Sequence, residues 1–240
     1  MSKTQPEPRV VEDVLDEVLS FNYRSLRTLR DIFLRPGHVA ATFASGDRAT
    51  YTPTMRVWFA VVSWLFLLSV VWGGFGELLL RTTDTSDGGL GRLVIEGGRD
   101  LDIVIAHIST VAGLLYVPLH SAFTLLGVIV LRSFRRDLSF IQTVQCYFVP
   151  VTAMATFSTI MLVVSTFHPP ALQFAPLINY GVFIATAAAV IRAVFARSLM
   201  GVIAKTLALT VVVFVLTTLA TLTAFAIGIS YALIVVPPSL

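Results

Sequence analysis

The sequence predicts an all-α integral membrane protein, a bundle of about five transmembrane helices preceded by a cytoplasmic amphipathic helix. Three observations carry that prediction. Hydrophobic residues make up 56% of the 240 and charged residues only 13%, too few to cover the surface of a soluble domain. The mean hydropathy is +0.84, and the excess is concentrated in runs of roughly 20 or more nearly uncharged residues, the length that crosses about 30 Å of hydrocarbon. The Lys and Arg residues gather between those runs, so the net charge of +3 gives no sign of a nucleic-acid partner.

Taken in order, residues 1–9 hold Pro6 and Pro8 among polar neighbours and read as a disordered tail. Residues 10–56 read as a cytoplasmic amphipathic helix followed by a basic juxtamembrane box. Between Val10 and Leu34, Val11, Val14, Val18, Leu26, Leu29 and Phe33 recur at mainly helical spacing. The first half is acidic (Glu12, Asp13, Asp16, Glu17) and the second basic (Arg24, Arg27, Arg30), an order that suits the helix dipole. The apolar stripe is expected to lie on the spans or on the bilayer surface.

Pro36 has no N–H to donate and ends this helix, and Gly37 permits a turn. His38 to Ser45 then forms a short helix stopped by Gly46. Thr52 reads as an N-cap and Pro53 as the first residue of the next helix. Arg48 and Arg56 flank the bilayer surface, with Tyr51 and Trp58 expected at headgroup depth.

The transmembrane domain is expected over 57–240, with spans near 57–80, 108–131, 142–167, 171–191 and 206–236. In that layout the N-terminal segment and the loops 132–141 and 192–205 share one side and carry fourteen Lys or Arg, against three on the other. That asymmetry places the N-terminus in the cytoplasm and the C-terminus outside. The first 30 residues lack an apolar signal region, so the first span is expected to direct insertion itself. The loop 81–107, with five acidic residues and five glycines, reads as a solvated connection.

Candidate sites are few. The central parts of the spans lack Asp, Glu, Lys and Arg, so a charge-compensated ion path is missing. His120 is the one titratable group of note at depth, two residues after the helix-kinking Pro118, and Asn179 marks a polar spot in the fourth span. Together they make a possible polar path. Pro150 marks a second kink. Small residues recur every four positions at Gly181, Ala185, Ala189 and at Ala220, Ala224, Gly228, spacings that let helix backbones approach. The single Cys146 reads as a small buried hydrophobe. Spacings for a metal centre, cofactor loop or catalytic set are not found, and a noncatalytic protein without cofactors is expected.

The box of Arg35-Pro36-Gly37, Gly46-Asp47-Arg48, Tyr51 and Pro53 resembles that of an uncharacterised family of bacterial integral membrane proteins. Members of that family pair Arg-Pro-Gly with Gly-Lys-Arg, Tyr and Pro before the first span. Here Asp47 stands for the Lys, and the zinc ribbon that many members carry is missing. The five-span layout is also similar in topology to the Yip family of membrane-trafficking proteins. The resemblance implies the bacterial inner membrane. The expected role is to organise protein partners or lipid, with Arg35, Arg48 and Arg56 holding anionic lipid or acidic partner groups and Tyr51 and Trp58 setting depth. A membrane-protein partner or a second copy suits the small-residue stripes. The competing expectation is a small-molecule or lipid permease whose polar path passes His120 and Asn179.

Overall fold

The computed structural model describes residues 23–71, 94 and 96–238. The tail 1–9, the start of the amphipathic segment at 10–22, residues 72–80 of the first span and the loop through 93 lie outside them. The described residues form seven α-helices: α1 Tyr23–Leu34, α2 Pro36–Ala44, α3 Thr54–Val71, α4 Leu101–Phe134, α5 Phe140–Phe167, α6 Ala175–Val190 and α7 Leu199–Val235. A 3₁₀ segment, Pro169–Phe174, precedes α6, and a π-helical turn, Ile191–Phe195, continues it.

Four of these helices are long and apolar enough to cross a membrane: α4, α5, α6 with its π turn, and α7. This is the pattern of a multi-pass membrane protein. The expectation of five spans is corrected to about four. The first candidate, expected over 57–80, is described as helix only to Val71, and its apolar stretch Thr54–Leu68 falls short of a hydrocarbon crossing.

The helix ends follow from local chemistry. At α4, the Asp100 carboxylate accepts from the N–H groups of Asp102 and Ile103, just after Gly98 turns the chain at φ 65°. Ser139 and Gln142 form a reciprocal capping box at the start of α5, and Ser198 caps α7 by accepting from Gly201 N–H. The far end of α7 is closed by Arg99, whose guanidinium donates to the carbonyls of Val236 (2.9 Å) and Leu233 (3.3 Å).

Helix α5 lies at the centre, with Cys146, Tyr147, Phe148 and Val149 fully buried against α2, α3 and α6. Helices α4 and α7 pair along most of their length, the small residues Ala220, Ala224 and Gly228 facing α4. A Cβ on Gly228 would stand 3.1 Å from the Ile108 carbonyl oxygen. The stripe on α7 therefore brings α7 against the second expected span. On α6, Gly181 faces open space, and Ala189 instead receives α2. Large apolar side chains, among them Leu126, Ile129, Leu207 and Val211, stay exposed on α4 and α7, as lipid contact requires.

Candidate functional site

The chain places an open cleft with several polar groups between α4, α5, α6 and α7, beside the Pro118 kink of α4. His120 Nδ1 lies 3.2 Å from the Tyr116 carbonyl oxygen, which can only accept, so that nitrogen carries the hydrogen. Its Nε2 then faces the Thr221 hydroxyl of α7 at 3.4 Å. The imidazole is stacked on the Tyr116 ring, with centroids 3.8 Å apart and planes 27° from parallel.

Opposite, α6 contributes Asn179 and Tyr180. The Tyr180 and Thr217 hydroxyls share a hydrogen bond of 2.9 Å. The Asn179 Oδ1 is buried and meets no hydrogen-bond donor among the described residues. These groups, with Ser158 and Met154 of α5, line a cavity of about 430 Å³. A smaller cavity of about 90 Å³ continues past His120 toward α3, reaching Trp58, Val62 and Thr124. Tyr116, His120, Met154, Ser158 and Thr217 line both. Neither wall carries Asp, Glu, Lys or Arg. Such a lining suits an uncharged ligand that exchanges hydrogen bonds, because a bare charge in this setting has no partner.

The structure thus brings the two residues of the expected polar path, His120 and Asn179, to one chamber. Tyr180, beside Asn179 in the same polar spot, joins them, whereas Thr217 and Thr221 were missed. The signal for the threonines was their spacing of four on α7, which puts both hydroxyls on one face, but the small-residue stripe of the same helix drew the reading elsewhere.

The five residues expected to meet lipid or partners divide differently. Arg35, Arg48 and Arg56 are exposed, as expected. Tyr51 and Trp58 are not at a headgroup surface: they are 1% and 4% exposed. Trp58 packs its ring on Phe148 at 5.0 Å and lines the smaller cavity. Tyr51 donates its hydroxyl to Asp31 Oδ2 at 3.0 Å, with His38 and Phe43 against its ring and the Arg27 guanidinium 5.7 Å above it. Both aromatic rings face inward, Tyr51 because α1 and α2 close over it and Trp58 because α3 packs on α5.

Tyr51 organises the box. Burial opposes ionisation of Asp31, but hydrogen bonds from Arg30 and Tyr51 and the charges of Arg30 and Arg27 outweigh it, holding the carboxyl below its ordinary range. Burial, then the bond to Asp31, raises the Tyr51 phenol. The buried side of α1 is Ser25, Thr28, Asp31 and Ile32, while Leu26 on the expected apolar stripe is 54% exposed. The polar groups are buried because each finds a partner. Thr28 Oγ1 accepts from Thr52 N–H at 3.0 Å, Ser25 Oγ donates to Thr52 Oγ1 at 3.3 Å, and the Arg24 guanidinium donates to the carbonyls of Arg48 and Tyr51.

Thr52 is thereby spent on α1 and does not cap α3. The Pro53 carbonyl opens that helix, and the Thr54 N–H is taken by Gln145 Oε1 at 2.6 Å. Asp47 makes its own turn, accepting from the N–H groups of Ala49 (2.7 Å) and Thr50 (3.2 Å) and from the Thr50 hydroxyl (2.6 Å). The Thr50 hydroxyl first, then those backbone donors, hold its carboxyl below the ordinary range. A carboxylate is therefore a local fastener where the resembling family has Lys.

Among the described residues no three His, Cys, Asp or Glu side chains cluster in a way that could hold a metal ion. No curated protein and no solved structure matches the chain. Residues 24–66 match a family described as Protein of unknown function (DUF3667). That match begins at the arginine that holds the Arg48–Tyr51 turn and ends inside α3, so it contains α2 and the whole box.

Proposed function

We propose that this protein is a noncatalytic bacterial inner-membrane protein that admits a small uncharged polar molecule, or the polar part of a lipid, to the chamber at His120 and passes it across. The observation that carries this reading is one cavity of about 430 Å³ whose lining brings His120, Asn179, Tyr180, Thr217 and Thr221 together with no charged side chain. Hydroxyl, amide and imidazole groups exchange hydrogen bonds with an uncharged polar ligand, each worth about 0.5–1.5 kcal/mol net. The volume lies within the range of about 300–1,000 Å³ usual for small-ligand sites.

In this reading the end bearing the box and the residues Arg132, Arg135, Arg136, Arg192, Arg197 and Lys205 faces the cytoplasm. Arg99 and the end of α7 face outward. Thr54 sits beside Gln145 at the basic end, whereas Arg99 sits at Val236 at the other.

The test is flux in liposomes containing the full chain, with glycerol and a fluorescent phosphatidylethanolamine as separate probes. Transit of one probe above protein-free vesicles, reduced about tenfold or more in Asn179→Ala and His120→Ala, is the expected result, each lost hydrogen bond accounting for about that factor. Flux of both probes equal to empty vesicles, or untouched by both variants, removes the permease reading. A second reading, an organiser of lipid or protein partners, draws on the exposure of Arg35, Arg48 and Arg56. It predicts that Arg48→Ala lowers recovery of co-purifying anionic lipid or protein.

A further inference from the structure

At the basic end, the π turn after α6 holds a second pocket that the chamber does not use. It is about 360 Å³ and lined by Arg135, Arg192, Arg197 and the Ala193–Ala196 backbone, with no acidic side chain in its lining. The cations at this end fall into two kinds. Arg135 donates to the Val194 carbonyl at 3.0 Å and grips Asp137. Lys205 donates to the carbonyls of Phe195 (2.7 Å) and Phe134 (3.4 Å), so it closes the ends of the π turn and α4. Asp137 is held below its ordinary range, first by the bonds from Arg135, so that pair stays ionised and its own charge is answered.

Arg192 and Arg197 are different. Both are exposed, and neither side chain bonds or pairs with any group among the described residues. The five-residue π turn sets them on either side of one opening, at a kind of helix defect often found at functional sites. Directly after Arg197, Leu199 and Met200 are 71% and 75% exposed, so apolar surface runs from the lip of the pocket along the lipid-facing side of α7.

We propose that this pocket binds a phosphate group, held by Arg192 and Arg197, the two of its three lining arginines that are not engaged by Asp137 or a helix-end carbonyl. Two planar guanidinium forks give paired donors to phosphate oxygens, which a diffuse charge excess does not. The phosphate comes from an anionic phospholipid headgroup whose chains lie on Leu199 and Met200, or from a free soluble phosphate. The site is independent of the chamber and of any flux through it.

The experiment uses the full chain in a neutral maltoside detergent and follows binding of short-chain phosphatidylglycerol by native mass spectrometry. The paired variant Arg192→Gln/Arg197→Gln is expected to bind roughly thirtyfold more weakly, about fivefold for each arginine. Arg136→Gln, which removes an exposed cation off the pocket wall, is expected to bind as the parent does. Unchanged binding in the paired variant overturns the proposal, and so does an equal loss in Arg136→Gln, which would mean diffuse charge. Thermal unfolding of each variant separates loss of the site from loss of the fold, and the single variants carry the test should the pair unfold. Competition by millimolar inorganic phosphate assigns the site to a soluble phosphate, and lack of competition assigns it to the lipid.

Discussion

Tyr51 shows how one side chain converts a basic, turn-rich stretch into a folded unit. Its hydroxyl is buried against a carboxylate that two arginines keep ionised. Tyr51→Phe leaves that carboxylate short of a donor and is expected to cost about 1–3 kcal/mol in detergent unfolding. The pH dependence follows from the direction of the shift. Asp31 has a folded pKa below its unfolded value, so its contribution is present above about pH 4 and is lost as pH falls through the folded value. Stability measured between about pH 6 and pH 3 should therefore fall less steeply for Asp31→Asn than for the parent. An equal slope in both would show that the Tyr51–Asp31 bond does not link protonation to the box.

At the scale of elements, the Arg-Pro-Gly turn is a packing device. Pro36 occupies the first turn of α2, where a missing N–H is harmless. Gly37 keeps a negative φ, so the turn does not need glycine; the contact does. A Cβ there would stand 2.9 Å from the Ala189 carbonyl oxygen and 3.1 Å from the Ala193 Cβ. Gly37→Ala should thus push α2 off α6 and destabilise by about 1–3 kcal/mol. Gly181→Ala on α6 offers the contrast, since nothing lies within 4 Å of the added carbon. It is expected to be neutral or to stabilise by up to about 1 kcal/mol through helix propensity. Equal losses for both glycines would refute the packing account. Gly127 serves the same end elsewhere, making room for the Tyr147 ring in the fully buried run of α5.

For the whole molecule, the arrangement of helix ends makes a claim about sidedness. The box, the capped start of α5 and the π turn gather at one end, linked by Gln142 to the Ala44 carbonyl and by Arg135 to the Val194 carbonyl. Arg99 and Val236 mark the other. In a Cys146→Ser background, Arg136→Cys should react with an impermeant thiol reagent only from the cytoplasmic side, and Pro237→Cys only from outside. Labelling of both from one side would overturn the orientation. Cys146 itself is fully buried, its thiol toward the Ala40 carbonyl, and should stay unlabelled in the parent.

The sequence alone determined that the chain is helical and membrane-embedded, because lipid demands long uncharged runs and leaves no other way to satisfy the backbone. It also placed the short helix before Gly46 and singled out His120 and Asn179, because polar groups in apolar runs stand out one residue at a time. What it could not assign was which surface each residue faces. Tyr51 and Trp58 have the composition of interface anchors, and only the closing of α1 and α2 over Tyr51 and the packing of α3 on α5 at Trp58 turned them inward. The stripe of α1 held in part, Leu29 and Phe33 packing on the core while Leu26 is exposed, and burial went also to Ser25, Thr28 and Asp31, whose partners lie 20 or more residues along the chain. The apolar length of α3 likewise set the span count at about four where composition suggested five. The chamber and the arginine pocket each join helices far apart in sequence, and such meetings depend on packing geometry, which no local pattern encodes.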